Sequence, residues 1–152
     1  MSFDAETLRR VRGITRFFDY CEREVCVQSG LTQTEADILA YLGNNPDRDT
    51  ASDIVDYRGI PKGYVSKAVD ALMSRGYLHR EKDEADRRRI HLTPTDAAAP
   101  VLGEILRCRE EFQRRLFQGF TPEERERYDA LSLRIYQNAV EAMKGRSSAN
   151  HE

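Results

Sequence analysis

The sequence predicts a mainly α fold with one small β-hairpin (α+β), on three observations. Apolar residues recur at three- and four-residue steps through most of the 152 positions. Three of these segments open on a threonine with an acidic residue three places on: Thr32 with Glu35, Thr50 with Asp53, Thr121 with Glu124. One stretch breaks the helical period. Tyr77–Lys82 alternates apolar and polar, then an acidic-to-basic loop from Asp83 to Arg89 leads into a second extended run, Ile90–Leu92.

The first helix spans Asp4–Gln28, with Leu8, Val11, Ile14, Phe18, Cys21 and Val25 on one stripe. Phe17 and Tyr20 widen that stripe beyond a single face, so this helix should bury two sides; Ser29-Gly30 ends it. The second, capped by Thr32, carries Ile38, Leu39, Tyr41 and Leu42 and stops at Gly43-Asn44-Asn45-Pro46. A short third helix follows Thr50, turns Ala51, Ile54 and Val55 inward and ends at Gly59. Pro61 suits the first position of the fourth helix, because its missing N–H would have had no partner there. Val65, Ala68, Val69 and Leu72 form its buried face, Lys62, Tyr64, Ser66, Lys67 and Asp70 its polar one, and Gly76 closes it. After the hairpin, Thr93-Pro94-Thr95-Asp96 starts a fifth helix to about Gln118. Its apolar positions include Val101, Leu102, Ile105, Leu106, Cys108, Phe112, Leu116 and Phe117. Thr121-Pro122 starts the sixth, with Tyr128, Leu131, Ile135, Ala139, Ala142 and Met143 as its apolar positions. Residues 145–152 read as a frayed tail.

Net charge is −2, yet residues 61–93 hold eight Lys/Arg against five Asp/Glu, +3, leaving −5 elsewhere. That asymmetry favours one polyanion-facing surface over diffuse basicity. The three cysteines lack metal-ligand spacing and suit a reducing cytoplasm rather than a disulfide framework. No membrane-length apolar run, phosphate loop, nucleophile–base order or paired-carboxylate motif stands out, so no enzyme, cofactor, metal or membrane role is expected. His79 and His91, on the paired strands, could lie near each other without forming a metal site.

Two helices joined by the tight Gly59 connection, then a basic hairpin, make a winged helix-turn-helix over 31–93. The fourth helix then suits a major groove and the hairpin the flanking backbone or minor groove. The helical remainder, 4–28 plus 94–144, has no second core of useful size. It is expected to pack on a second copy as a dimerisation region, setting two reading heads on a pseudo-palindromic duplex. The contacts expected on the fourth helix are Lys62, Tyr64, Ser66 and Lys67, and on the wing Arg87, Arg88 and Arg89; a merely solvated face is the other reading. The fourth helix holds no Arg, Asn or Gln near its start, so the commonest bidentate base contacts are absent.

In order and spacing these parts resemble the MarR family of transcriptional regulators. The resemblance rests on Leu31–Leu39, on Tyr64–Leu72, on Arg75-Gly76-Tyr77-Leu78-His79-Arg80, and on Asp86-Arg87-Arg88 followed by Leu92-Thr93-Pro94. It implies a homodimeric repressor of a neighbouring operon, released by a small aromatic effector. Arg75 joins the expected DNA-binding set, and Asp86, or alternatively Asp83, is expected to orient the wing arginines. Phe17, Tyr20 and Tyr41, with Phe18, are candidates for an effector pocket, with plain core as the alternative. The interval from Asp86 to Thr93 is shorter than the family's pattern, implying a stubby hairpin. Some relatives sense oxidants through a thiol early in the first helix; Cys21 and Cys26 lie late in it, and Cys21 and Cys108 fall on apolar stripes, as small core residues do. A thiol-based redox regulator and a protein-binding winged helix are the rival functions.

Overall fold

The computed structural model describes residues 5–149, with side chains described through 144. Its order is α1 (Ala5–Ser29), α2 (Gln33–Asn44), α3 (Ala51–Arg58), α4 (Lys62–Ser74), β1 (Leu78–Lys82), β2 (Ile90–Pro94), a 3₁₀ turn (Asp96–Ala98), α5 (Ala99–Leu116) and α6 (Pro122–Ala149). The mainly helical winged helix-turn-helix expected from the sequence is therefore what the chain forms. The start expected at Asp4 lies outside the described residues. So do the side chains of the expected tail, 145–152; the backbone of α6 is helical through Ala149.

Contacts divide the chain into two units, 1–112 and 113–152. In the first, α2 and α4 supply most of the core. Ile38, Leu39, Ile54, Val65, Leu72 and Ile105 are fully buried, and Leu78 and Leu92 close the core from the hairpin. Each such side chain stabilises by about 1.5–3 kcal/mol relative to exposure. Both expected capping boxes here are formed: Thr32 and Glu35 exchange bonds, as do Thr50 and Asp53. The bonds from Thr50 hold the Asp53 carboxyl below its ordinary range. Gly59 and Gly76 adopt φ of 63° and 74°, which ends their helices at almost no steric cost.

Several boundaries and faces differ from expectation. Pro61 sits at the N-cap of α4 rather than inside it, with ψ 141°, and its carbonyl accepts from Tyr64 and Val65. Pro94 ends β2 instead of opening α5, since Leu78 pairs with it across the hairpin. Ala51, in the first turn of α3, is exposed because only Ile54 and Val55 reach the core. On α1, Leu8, Val11 and Ile14 remain exposed, and the buried residues are Glu22 and Cys26.

Glu22 is the buried charge of this unit. Arg109 of α5 donates to it at 2.6 Å and to Asp37 of α2 at 3.1 Å, and Asp37 also takes a two-pronged contact from Arg58 of α3. Burial pushes the Glu22 carboxyl up while Arg109 pulls it down. Four helices are thus tied by four alternating charges.

In the second unit, Phe117 meets Phe120 and Tyr128 edge to face at 5.5 and 5.1 Å, and the Arg125 guanidinium lies 3.7 Å over the Phe117 ring. Thr121 and Glu124 cap α6 reciprocally. Beyond this cluster, Leu131, Leu133, Ile135, Tyr136 and Met143 of α6 are exposed. Among the described residues, no helix is long and apolar enough to cross a membrane.

Candidate nucleic-acid interface

The heptad-like spacing of Val65, Ala68, Val69 and Leu72 fixes which way α4 faces. With those four buried, Lys62, Tyr64, Ser66, Lys67 and Asp70 are turned out to solvent, Tyr64 at 65 % exposure. The first turn carries no side-chain cap, so the positive end of the helix is open to an anion. Asp70 is taken up by Arg80 of β1 at 3.6 Å, which binds the helix to the hairpin.

The hairpin pairs Leu78 with Pro94 and Lys82 with Ile90, leaving 83–89 as its loop. Two aspartates shape that loop through backbone bonds. Asp83 Oδ1 accepts from the N–H groups of Ala85 and Asp86, both at 2.8 Å, and Asp86 Oδ1 accepts from Arg88 N–H at 3.0 Å. Asp86 therefore orients the arginines through their main chain, not through their guanidinium groups, and Asp83 shares the task. Arg87, Arg88 and Arg89 are all exposed. Lys62, Lys67 and these three arginines make no ion pair with a carboxylate among the described residues, which leaves five cations available to a polyanion.

A cleft of about 690 Å³ joins the two elements. Ser66 and Asp70 line it from α4, Arg80 from β1, Asp86, Arg88 and Arg89 from the loop, and Thr50, Ser52 and Asp53 from the start of α3. Ser66, Asp86, Arg88 and Arg89 of the expected set thus meet around one space. Lys62, Tyr64, Lys67 and Arg87 are exposed nearby in sequence but do not line it.

Residues 29–89 match the model of the MarR family. They are a MarR-family segment. The chain is similar to the HTH-type transcriptional regulator YcgE of Bacillus subtilis, at 35% identity over 91 residues, 60% of this chain and 56% of that one. That match thus spans just over half of the relative's own length. Among solved structures it is similar to a MarR protein from Peptoclostridium difficile, with TM-score 0.77, 23% identity, and 91% and 90% of the two chains covered. It also resembles the MepR–DNA complex of S. aureus, with TM-score 0.75, 19% identity, and 90% and 97% covered. At these identities the structures establish the fold alone.

Within this MarR-type frame, some residues singled out by resemblance have other engagements. Arg75, at the end of α4, donates to the carbonyls of Gly30 at 2.5 Å and Ser29 at 3.3 Å. It ties α4 to the α1–α2 turn, an engagement with backbone acceptors rather than with the cleft. The proposed effector aromatics do not gather. Phe17 and Phe18 both pack on Phe112 of α5 at 5.2 Å, Tyr20 is 70% exposed, and Tyr41 is buried beside Tyr57 at 6.0 Å. Cys108 donates its thiol to the Cys21 carbonyl, and burial pushes the Cys26 and Cys108 thiols up, so the reactive thiolate is disfavoured.

His79 and His91 are not neighbours in register. His79 pairs with Thr93 and His91 with Glu81, and the His91 ring lies between Asp49 and Asp83. Sequence reasoning gave Arg80 and Asp49 no role in this region and weighed His91 only beside His79 as a metal ligand. Arg80 was signalled by strand alternation; a contact between positions 49 and 91 has no local signature.

Proposed function

We propose that the protein is a DNA-binding transcriptional regulator of the helix-turn-helix type, acting as a homodimer on a pseudo-palindromic duplex. The observation that carries this reading is the shared cleft: Ser66 and Asp70 of α4 and Arg88 and Arg89 of the loop open onto the same space. The first turns of α4, with Lys62, Tyr64, Ser66 and Lys67, enter a major groove, and Arg87, Arg88 and Arg89 follow the flanking backbone or minor groove. A MepR–DNA complex among the similar structures supports the same use of the fold. With no Arg, Asn or Gln on the leading turns of α4, specificity rests on lysine, on apolar contact by Tyr64 and on groove shape.

The exposed apolar residues of α1 and α6 supply the contact between copies, since two-fold pairing is the commonest way such faces are covered. The reader, 31–93, and the dimerisation region, 4–28 plus 94–144, are the functional division we assign. Repression relieved by a small-molecule effector is the regulatory mode. The effector acts by preferring a head spacing incompatible with DNA.

Duplex selected from genomic fragments by the pure protein provides the test. Arg88→Ala should weaken binding on every duplex and lower the salt slope by about 1, whereas Ser66→Ala or Lys67→Ala should weaken it in a sequence-dependent way. If anisotropy titrations show neither effect, the interface is wrongly assigned.

A further inference from the structure

Strand β2 carries one titratable side chain to the meeting point of three segments. His91 directs Nδ1 at Asp49 Oδ1, 2.7 Å away on the α2–α3 loop, and Nε2 at Asp83 Oδ2, 3.0 Å away where the wing loop begins. A neutral imidazole has a single N–H and can donate to only one of these carboxylates; the imidazolium donates to both. The main chain reinforces the junction, because Leu92 N–H donates to the Asp49 carbonyl at 3.0 Å. Asp83 in turn holds Ala85 and Asp86, and Asp86 holds Arg88. An unbroken run of hydrogen bonds leads from the helix-turn-helix through His91 to the arginine loop. The charged groups facing the ring are acidic: Asp49 from the α2–α3 loop, Asp83 from the wing loop, and Glu81 opposite it on β1.

We propose, resting on the DNA-binding reading of the wing, that His91 is a positioning residue for the Arg87–Arg89 loop. As the imidazolium it fastens that loop to the helix-turn-helix, and duplex affinity is highest where it is protonated. The sign of the proton dependence follows from the geometry. Donating to Asp83, then to Asp49, raises His91 above its ordinary value of 6.5, and accepting from His91 and from two backbone N–H groups lowers Asp83 to about 2. In an undocked wing His91 returns to its ordinary value. The docked wing therefore has the full contribution below 6.5 and loses it as pH rises through the raised value, while Asp83 stays ionised throughout.

The full chain, a labelled duplex that the wild type selects, and anisotropy at fixed ionic strength from about pH 5.5 to about pH 8.5 test this. The wild type is expected to lose affinity about three- to tenfold across that span, and His91→Gln to bind more weakly with a flat profile. His79→Gln, which changes a histidine on the same hairpin outside this junction, should keep the wild-type profile. In the His91→Gln background, Arg88→Ala should cost less than it does in the wild type, because the loop is already unfastened. Asp83→Asn gives a second route if His91→Gln melts early: its amide oxygen still accepts from Ala85 and Asp86, while its NH₂ suits the neutral ring, so the profile should flatten. A wild-type profile retained in both His91→Gln and Asp83→Asn, or an undiminished Arg88→Ala effect, overturns the positioning role. Failure of the wild type to bind any duplex overturns the DNA reading itself, a different result.

Discussion

Two arginines of the same segment show how little residue type says about role. Arg75 and Arg88 are both exposed and both fall within motifs shared with the family, yet Arg75 is spent on the carbonyls of Ser29 and Gly30, whereas Arg88 lines the cleft. Arg75→Ala is expected to lower stability by about 1 kcal/mol, read as a shift in urea midpoint, because two backbone acceptors at the end of α1 lose their donor to water. Its salt slope for duplex binding should match the wild type. Arg88→Ala should give the reverse pair of results, unchanged midpoint and a reduced slope. A reduced slope for Arg75→Ala would return that residue to the interface. The sequence could not separate the two, because the deciding contact joins positions 45 apart. The same holds for His91 and Asp49, 42 apart. Such contacts are set by how α2 and the hairpin pack, and leave no trace in local pattern.

Elements were far more legible. All six helices follow the apolar periodicity, and the three Thr-led caps formed because their chemistry is complete within four residues. The outward face of α4 was readable for the same reason: once Val65, Ala68, Val69 and Leu72 are buried, the remaining directions are fixed. Misplacements came where local chemistry was ambiguous. Pro61 and Pro94 each suit a helix start, but ladder pairing claimed Pro94 for β2. One residue of α4 is unexplained by the fold. Gly63 has a helical backbone, and a Cβ there would meet nothing within 4 Å. Gly63→Ala should raise stability by about 0.5–1 kcal/mol, since glycine costs roughly that in a helix. It should also weaken duplex binding, because the methyl group would stand in the gap between the first turn and DNA. A more stable variant with undiminished affinity would show that this turn does not approach the duplex.

At the scale of the whole molecule, most of the exposed large apolar side chains among the described residues lie outside the reader. Leu131 and Ile135 of α6 are 55% and 70% exposed, and Leu8, Val11 and Ile14 extend a similar face on α1. Periodicity marked these positions as buried, and the want of a second core in the sequence pointed to another copy as their cover. A second copy is the cover we assign. Ile135→Glu with Leu131→Glu should sediment as a monomer at micromolar concentration, and the wild type as a dimer. It should also bind a two-half-site duplex more weakly, with single half-site binding preserved. An unchanged sedimentation coefficient would remove α6 from the pairing surface.

The charges at 22, 37, 58 and 109 constrain how this sequence can change over time. Asp37 serves two arginines and Arg109 serves two carboxylates, so the end residues Glu22 and Arg58 can change alone, whereas replacing either central residue strands a partner. Loss of Arg109 alone would strand Glu22, which is 2% exposed, at a cost of about 3–5 kcal/mol, a large share of the roughly 5–15 kcal/mol that holds a domain folded. Viable variants that lose Arg109 should therefore also replace Glu22 by an apolar residue, whereas Arg58 is free to vary alone. A library randomising 22 and 109 jointly would return correlated solutions where one randomising 109 alone returns the starting residue.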